Sequence, residues 1–181
     1  MTNIFLTGQI QIGKSTVLSK VIEMLQFNFR PNIGGFCTFH ISDNRNVFIR
    51  KFNDQPLPDN AHCVATWQRD RMASHPQVFE RFGNLLAADI KNSDLIVLDE
   101  LGFLEKDANI FKSAVFQALD CPVPCVGILR KADIPWQLPI YDNPDNLIIE
   151  VTMANRQGLP YEIYQKLANQ LIANGKTPIN K

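Results

Sequence analysis

A chain of 181 residues holds one well-filled core and leaves no room for two comfortable domains, and 45% apolar with 20% charged residues is a globular composition. Eighteen basic residues balance eighteen acidic ones, and a net charge of zero removes any overall electrostatic reason to expect nucleic acid or anionic lipid as the principal partner. No apolar run approaches membrane-spanning length, the first strand starts almost at Met1 without space for an export signal, and the four cysteines are widely placed, so a cytoplasmic protein with no membrane association is expected.

Asn3 to Thr7 reads as a short apolar strand feeding into Gly8-Gln9-Ile10-Gln11-Ile12-Gly13-Lys14-Ser15-Thr16 and then into a helical pattern. A Gly-x-x-x-x-Gly-Lys-Ser loop between strand and helix is the setting of a phosphate-binding loop. Gly8 and Gly13 allow the backbone to wrap an anion, and the N–H groups from Gln11 to Thr16 are expected to point at the phosphates. Lys14 supplies a cation beside the β and γ phosphates, Ser15 a ligand for Mg²⁺, and the helix start its partial positive charge. Many such loops carry a third glycine where Gln11 stands, which points to an altered loop conformation.

Val17, Leu18, Val21, Ile22 and Leu25 predict a helix from Lys14 to about Gln26. Pro31 and Gly34-Gly35 punctuate the chain before a strand over Phe36 to Ile41, and Asp43 to Asn46 form a turn into Val47 to Phe52, which makes a β-hairpin. The polar segment from Asn53 to Pro76 reads as a solvated connection or as a flap bringing Arg69 or Arg71 to phosphate. Cys37 with His40, and Cys63 with His62, lack the complete spacing of a zinc finger or ribbon; buried thiols are expected there, as at Cys121 and Cys125. A helix over Gln77 to Ile90 leads into Asp94-Leu-Ile-Val-Leu-Asp99-Glu100.

Leu95 to Leu98 read as a central parallel strand with an acidic pair at its carboxyl end. Asp99 suits the metal, and Glu100 suits a water held against the γ phosphate. Roughly eighty residues separate this motif from the loop. That separation fits the class with a further strand between the two motif strands and a catalytic glutamate. The expected fold is α/β: a three-layer phosphate-loop NTPase with a mostly parallel central sheet of the RecA-like class, plus the hairpin. Further on come a helix through Ile110 to Leu119, a strand over Cys125 to Leu129 ending at Arg130, a strand over Leu147 to Val151, and a last helix from Leu159 to about Ala173. Gly175 ends that helix; residues 1–175 form the expected domain and 176–181 a loose tail. Arg130, at a strand's carboxyl end, faces the phosphate rim.

Gly8 to Thr16, the Gly34-Gly35-Phe36-Cys37-Thr38 segment, Asp99-Glu100-Leu-Gly-Phe-Leu-Glu105 and Asn155-Arg156-Gln-Gly-Leu-Pro160 together resemble the THEP1-type nucleoside triphosphatase family over nearly the whole chain. The resemblance implies phosphate and magnesium roles for Gly13, Lys14, Ser15 and Thr16, hydrolytic roles for Asp99 and Glu100, and a place near the nucleotide for Asn155 and Arg156. Phe103 departs from the lysine of the family's Asp-Glu-Ile-Gly-Lys-Met-Glu signature, whereas Glu105 is retained.

The expected activity is Mg²⁺-dependent hydrolysis of ATP or another nucleoside triphosphate, with Lys14 on the phosphoryl oxygens, Glu100 aligning water, and Arg130 or Arg156 neutralising charge in the transition state. A small nucleoside or nucleotide kinase is the near alternative, although no arginine-rich lid is visible. A nucleotide-dependent switch acting on an unidentified protein partner is the third reading. A guanine-selective Asn-Lys-x-Asp motif is absent.

Overall fold

In a computed structural model describing residues 2–41, 45–69 and 71–179, the apolar runs become strands of one sheet and the 3.6-periodic segments become helices on its faces. In chain order these are β1 (Asn3–Thr7), α1 (Lys14–Phe29), β2 (Ile33–His40), β3 (Val47–Lys51), β4 (Cys63–Gln68), β5 (Arg71–Ser74), α2 (Pro76–Asp89), β6 (Leu95–Leu101), α3 (Asn109–Asp120), β7 (Cys125–Leu129), α4 (Leu138–Asp142), β8 (Asn146–Glu150) and α5 (Leu159–Ala173). The sheet order is β5-β4-β3-β2-β6-β7-β1-β8. From β2 to β8 neighbouring strands pair in parallel, and β2 to β5 form an antiparallel extension.

All five residues of β1 and of β7 are buried, because helices cover both faces of a parallel sheet. Strand alternation divides β1 between two cores. Ile4 and Leu6 pack with Val17, Leu18, Val21 and Leu25 of α1 and Ile163, Leu167 and Leu171 of α5. Phe5 joins Phe36, Phe79, Phe82 and Phe111 on the face covered by α2 and α3. The Phe111 ring centroid lies 5.1 Å from that of Phe36 and 5.2 Å from that of Phe79. Each such fully buried ring contributes about 2–3 kcal/mol. No helix among the described residues is long and apolar enough to cross a membrane.

The strand separating the two motif strands is β7, between β6 and β1. It comes from the second half of the chain, after the acidic pair, and not from the segment between the motifs. The hairpin forms between β2 and β3, pairing Phe36 with Lys51 through to His40 with Val47; residues 43 and 44 of the expected turn lie outside the described residues.

Four expectations require correction. Gly34-Gly35 does not precede the strand but lies within β2, where a Cβ on Gly35, at φ +100°, would stand 2.0 Å from the Val97 carbonyl oxygen of β6. The Asn53–Pro76 segment is not one irregular connection: it contains β4 and β5, whose turn carries Arg69 and whose register pairs Gln68 with Arg71. That turn sits five to six strands from β1, roughly 25 Å across the sheet, so neither arginine is placed as a flap over the phosphate loop. The tail is docked through residue 179: Lys176 pairs with Asp94 at 2.7 Å and Ile179 N–H donates to Asn28 O at 2.7 Å. Pro135–Gln137 and α4, not anticipated, form a 3₁₀ turn and a short helix between β7 and β8.

Candidate active site

Gly8 opens the phosphate loop at φ +133°, and a Cβ there would meet the Val151 carbonyl oxygen at 2.8 Å, so β8 packs against backbone that only glycine leaves bare. Ile12 N–H turns back to Gln9 O at 3.4 Å, departing from the expected inward row of amides that began at Gln11. α1 then starts after Gly13 with no side-chain cap, leaving the amides from Gly13 to Thr16 without helical acceptors, as an anion-binding helix start requires. The ammonium of Lys14 is held at 3.0 Å from Gly8 O and 2.9 Å from Gln9 O, so one of its three donors stays available for an anion. Gln9, Ile10, Gln11, Ser15 and Thr16 are exposed around the loop.

Gln11 occupies φ +62°, the left-handed region where glycine carries no side-chain penalty. Replacing Gln11 by glycine is therefore expected to raise stability by about 1 kcal/mol, after allowing for the greater freedom of glycine in the unfolded chain. Denaturant unfolding of the two proteins checks this; an unchanged or lower midpoint contradicts it.

The acidic pair lies on β6, one strand removed from β1. Asp99 is opposite Cys37 of β2, which is in turn opposite Arg50 of β3, forming one row across three strands. Burial and the neighbouring Glu100 push the Asp99 carboxyl up to about 7, against the opposing pull of Arg50 and Lys14. Burial, then Asp99, push the Cys37 thiol up to about 12, leaving it protonated and inert. Glu100 faces other partners: its N–H donates to Thr38 Oγ1 at 3.3 Å, and its Oε1 lies 3.9 Å from Arg130 Nη1. Arg156 comes from the turn after β8 and donates weakly to Ile12 O at 3.4 Å. Both candidate arginines thus border the site, Arg130 beside Glu100 and Arg156 beside the loop.

The Asn155 side chain is engaged within its own turn. Its Oδ1 accepts Thr152 N–H at 2.8 Å and its Nδ2 donates to Glu150 O at 2.9 Å, so its amide shapes the turn that presents Arg156. Arg50 was missed in sequence; its guanidinium is fixed by the carbonyls of Phe52 at 2.5 Å and Asp54 at 2.7 Å while its charge reaches Asp99.

The oxygen donors fit Mg²⁺. A hydroxyl at Ser15 and a carboxylate at Asp99 whose charge burial opposes are hard ligands in need of a cation. Among the described residues no group of three or more His, Cys, Asp and Glu is placed to hold a metal ion by itself.

Glu105 closes the loop after β6, its Oε2 accepting Gly102 N–H at 3.0 Å. Burial pushes its carboxyl from 4.5 up to about 7, with Glu100 adding to the rise and Arg130 opposing it. Between those values the unfolded chain has released this proton and the folded chain keeps it, so the contribution of Glu105 to stability falls as pH rises through the window and is fully lost above about 7. Glu105→Gln, which keeps the acceptor, should therefore gain about 3 kcal/mol relative to the parent between pH 4.5 and pH 8. Denaturant unfolding at the two pH values tests this, and a pH-independent difference contradicts it.

A sequence model of the NTPase family matches residues 3–164. The chain belongs to the NTPase family. It is 28% identical over 179 residues to the nucleoside-triphosphatase THEP1 of Natranaerobius thermophilus, covering 94% of this chain and 98% of the relative. It is 30% identical over 172 residues to that of Methanosarcina barkeri, covering 90% and 95%. The fold is similar to the crystal structure of THEP1 from the hyperthermophile Aquifex aeolicus, with a TM-score of 0.75 and 22% identity over 92% of this chain and 99% of that one. It also resembles the solution structure of a human cancer-related nucleoside triphosphatase, with a TM-score of 0.66 and 22% identity over 93% and 98% of the two chains. NTPase membership makes the chain an enzyme acting on nucleoside triphosphates and bears out the three-layer α/β reading.

Proposed function

We propose that the chain hydrolyses a nucleoside 5′-triphosphate to the diphosphate and inorganic phosphate, in the presence of Mg²⁺. The observation that carries this reading is the adjacent acidic pair at the carboxyl end of β6: Asp99, pressed by burial and by Glu100, feels the opposing pull of Arg50 and Lys14, whereas Glu100 lies 3.9 Å from Arg130 and donates its N–H to Thr38. On this reading Glu100 serves the water and Asp99 the metal. Similarity to the nucleoside-triphosphatases of Natranaerobius thermophilus and Methanosarcina barkeri supports the same chemistry.

The amides at the start of α1 and the Lys14 ammonium bind the β and γ phosphoryl oxygens. Ser15 and Asp99 are the residues that hold Mg²⁺, which when bound spreads positive charge over those oxygens. Glu100 orients water in line with the bond to the leaving oxygen and receives its proton as the new P–O bond forms. The bond from the γ phosphorus to the bridging oxygen breaks, and Lys14 and Arg130 or Arg156 offset the charge that collects on the leaving diphosphate and the transferred group.

The test is phosphate release from ATP, GTP, CTP and UTP, with Mg²⁺ or excess chelator, and with or without nucleoside and nucleotide acceptors. Release that needs the metal and ignores the acceptors is expected. Negligible release alongside efficient transfer to one acceptor contradicts the proposal and identifies a kinase.

A further inference from the structure

Phe103 stands apart in the tightly fastened loop that follows β6. Leu101 O accepts Arg130 N–H at 2.9 Å, Gly102 N–H donates to Glu105 at 3.0 Å, Gly102 O accepts the Trp136 indole N–H at 2.8 Å, and Leu104 O accepts the Ser74 hydroxyl at 2.6 Å. The Phe103 ring remains 40% exposed and belongs to neither core, so burial does not account for a large apolar side chain at this place. Its partner is a charge. The Arg130 Cζ lies 4.8 Å from the ring centroid, while Nη1 on the same guanidinium is 3.9 Å from Glu100 Oε1.

That ion pair is too long and too open to water to hold a flexible arginine by itself: the two side chains are 38% and 31% exposed. A ring face supplies the second hold, because its negative quadrupole attracts a planar, weakly hydrated guanidinium and favours stacked geometry. The stem of Arg130 runs along Gly102, where a Cβ would stand 3.5 Å from Arg130 Cδ. Arg130 is therefore fixed at its root by backbone pairing and at its head by a ring and a carboxylate.

We propose that Phe103 is a positioning residue whose ring holds the Arg130 guanidinium beside Glu100 during triphosphate hydrolysis. This rests on the function proposed above. The ring touches no phosphate; it acts through the arginine, narrowing the set of positions from which that cation meets charge developing at the γ phosphoryl group.

The experiment is a double-mutant cycle on phosphate release from ATP, using Phe103→Leu, Phe103→Tyr, Arg130→Met and the Leu and Met changes combined. Phe103→Leu is expected to lower kcat about two- to fivefold with KM little changed, Phe103→Tyr to retain the parent rate, and Phe103→Leu to cost nothing further once Arg130 is Met. An equal cost of Phe103→Leu in both backgrounds, an effect confined to KM, or a tyrosine variant as slow as leucine overturns the role of the ring. Those outcomes on an active parent enzyme leave hydrolysis standing, whereas absence of phosphate release from the parent refutes the function itself.

Discussion

Glu100→Gln is expected to lower phosphate release by about 10²- to 10³-fold while leaving nucleotide affinity nearly unchanged. The amide preserves size and can still accept a hydrogen bond, but it neither carries the charge that aligns water nor takes its proton. The phosphate loop itself does not depend on that side chain: it is closed by Lys14 on Gly8 and Gln9, the Glu100 contact to Thr38 is made by backbone, and the altered carboxylate touches only Arg130, at 3.9 Å. Equilibrium binding of a non-hydrolysable triphosphate beside single-turnover hydrolysis separates the two quantities. A variant that binds normally and retains full turnover removes Glu100 from the mechanism.

Lys14→Ala should damage both quantities. Lys14 is buried, 8% exposed, and its ammonium ties together two carbonyls of the loop before any ligand is considered. Its removal leaves the Gly8 and Gln9 oxygens without that donor, at about 1 kcal/mol each, and deprives the phosphoryl oxygens of their nearest fixed cation. The expected result is a fall in turnover of about 10²- to 10³-fold together with weaker binding of the non-hydrolysable triphosphate. Unaltered affinity in the alanine variant contradicts the assignment. The contrast with Glu100→Gln, where rate alone falls, distinguishes a residue that holds the ligand from one that serves the reacting water.

How far this site can be read without coordinates depends on the physical signal each part leaves. The loop from Gly8 to Thr16 is legible because its chemistry is local: glycine spacing, lysine and hydroxyl follow one another along the chain. Asp99 and Glu100 are legible because a continuous apolar run marks a strand buried on both faces and its carboxyl end marks the rim. Last-helix bounds at Leu159 and Ala173 follow from strong periodicity and a glycine stop.

Arg50 leaves no such trace. It reaches Asp99 only because β3 pairs with β2 in one register and β2 with β6 in another, and register across a hairpin depends on the turn. Strands β4 and β5 were hidden for a different reason. Their residues, Cys63 to Gln68 and Arg71 to Ser74, form short segments with few β-branched side chains, lodged on an antiparallel edge within a polar stretch. Gly35 misled because glycine usually ends a strand, whereas here the close approach of the Val97 carbonyl places it inside one. Asn155 sits in the expected turn, and its amide hydrogen bonds to that turn's own backbone are a detail that a motif does not carry.

The central claim is that water is the phosphoryl acceptor, and the most direct measurement is hydrolysis of ATP in ¹⁸O-enriched water with mass analysis of both products. The account predicts one solvent oxygen in each inorganic phosphate and none in the diphosphate, since water attacks the γ phosphorus and the bridging oxygen leaves with the nucleotide. Label in the diphosphate, or turnover that yields a phosphorylated acceptor and no labelled phosphate, contradicts it.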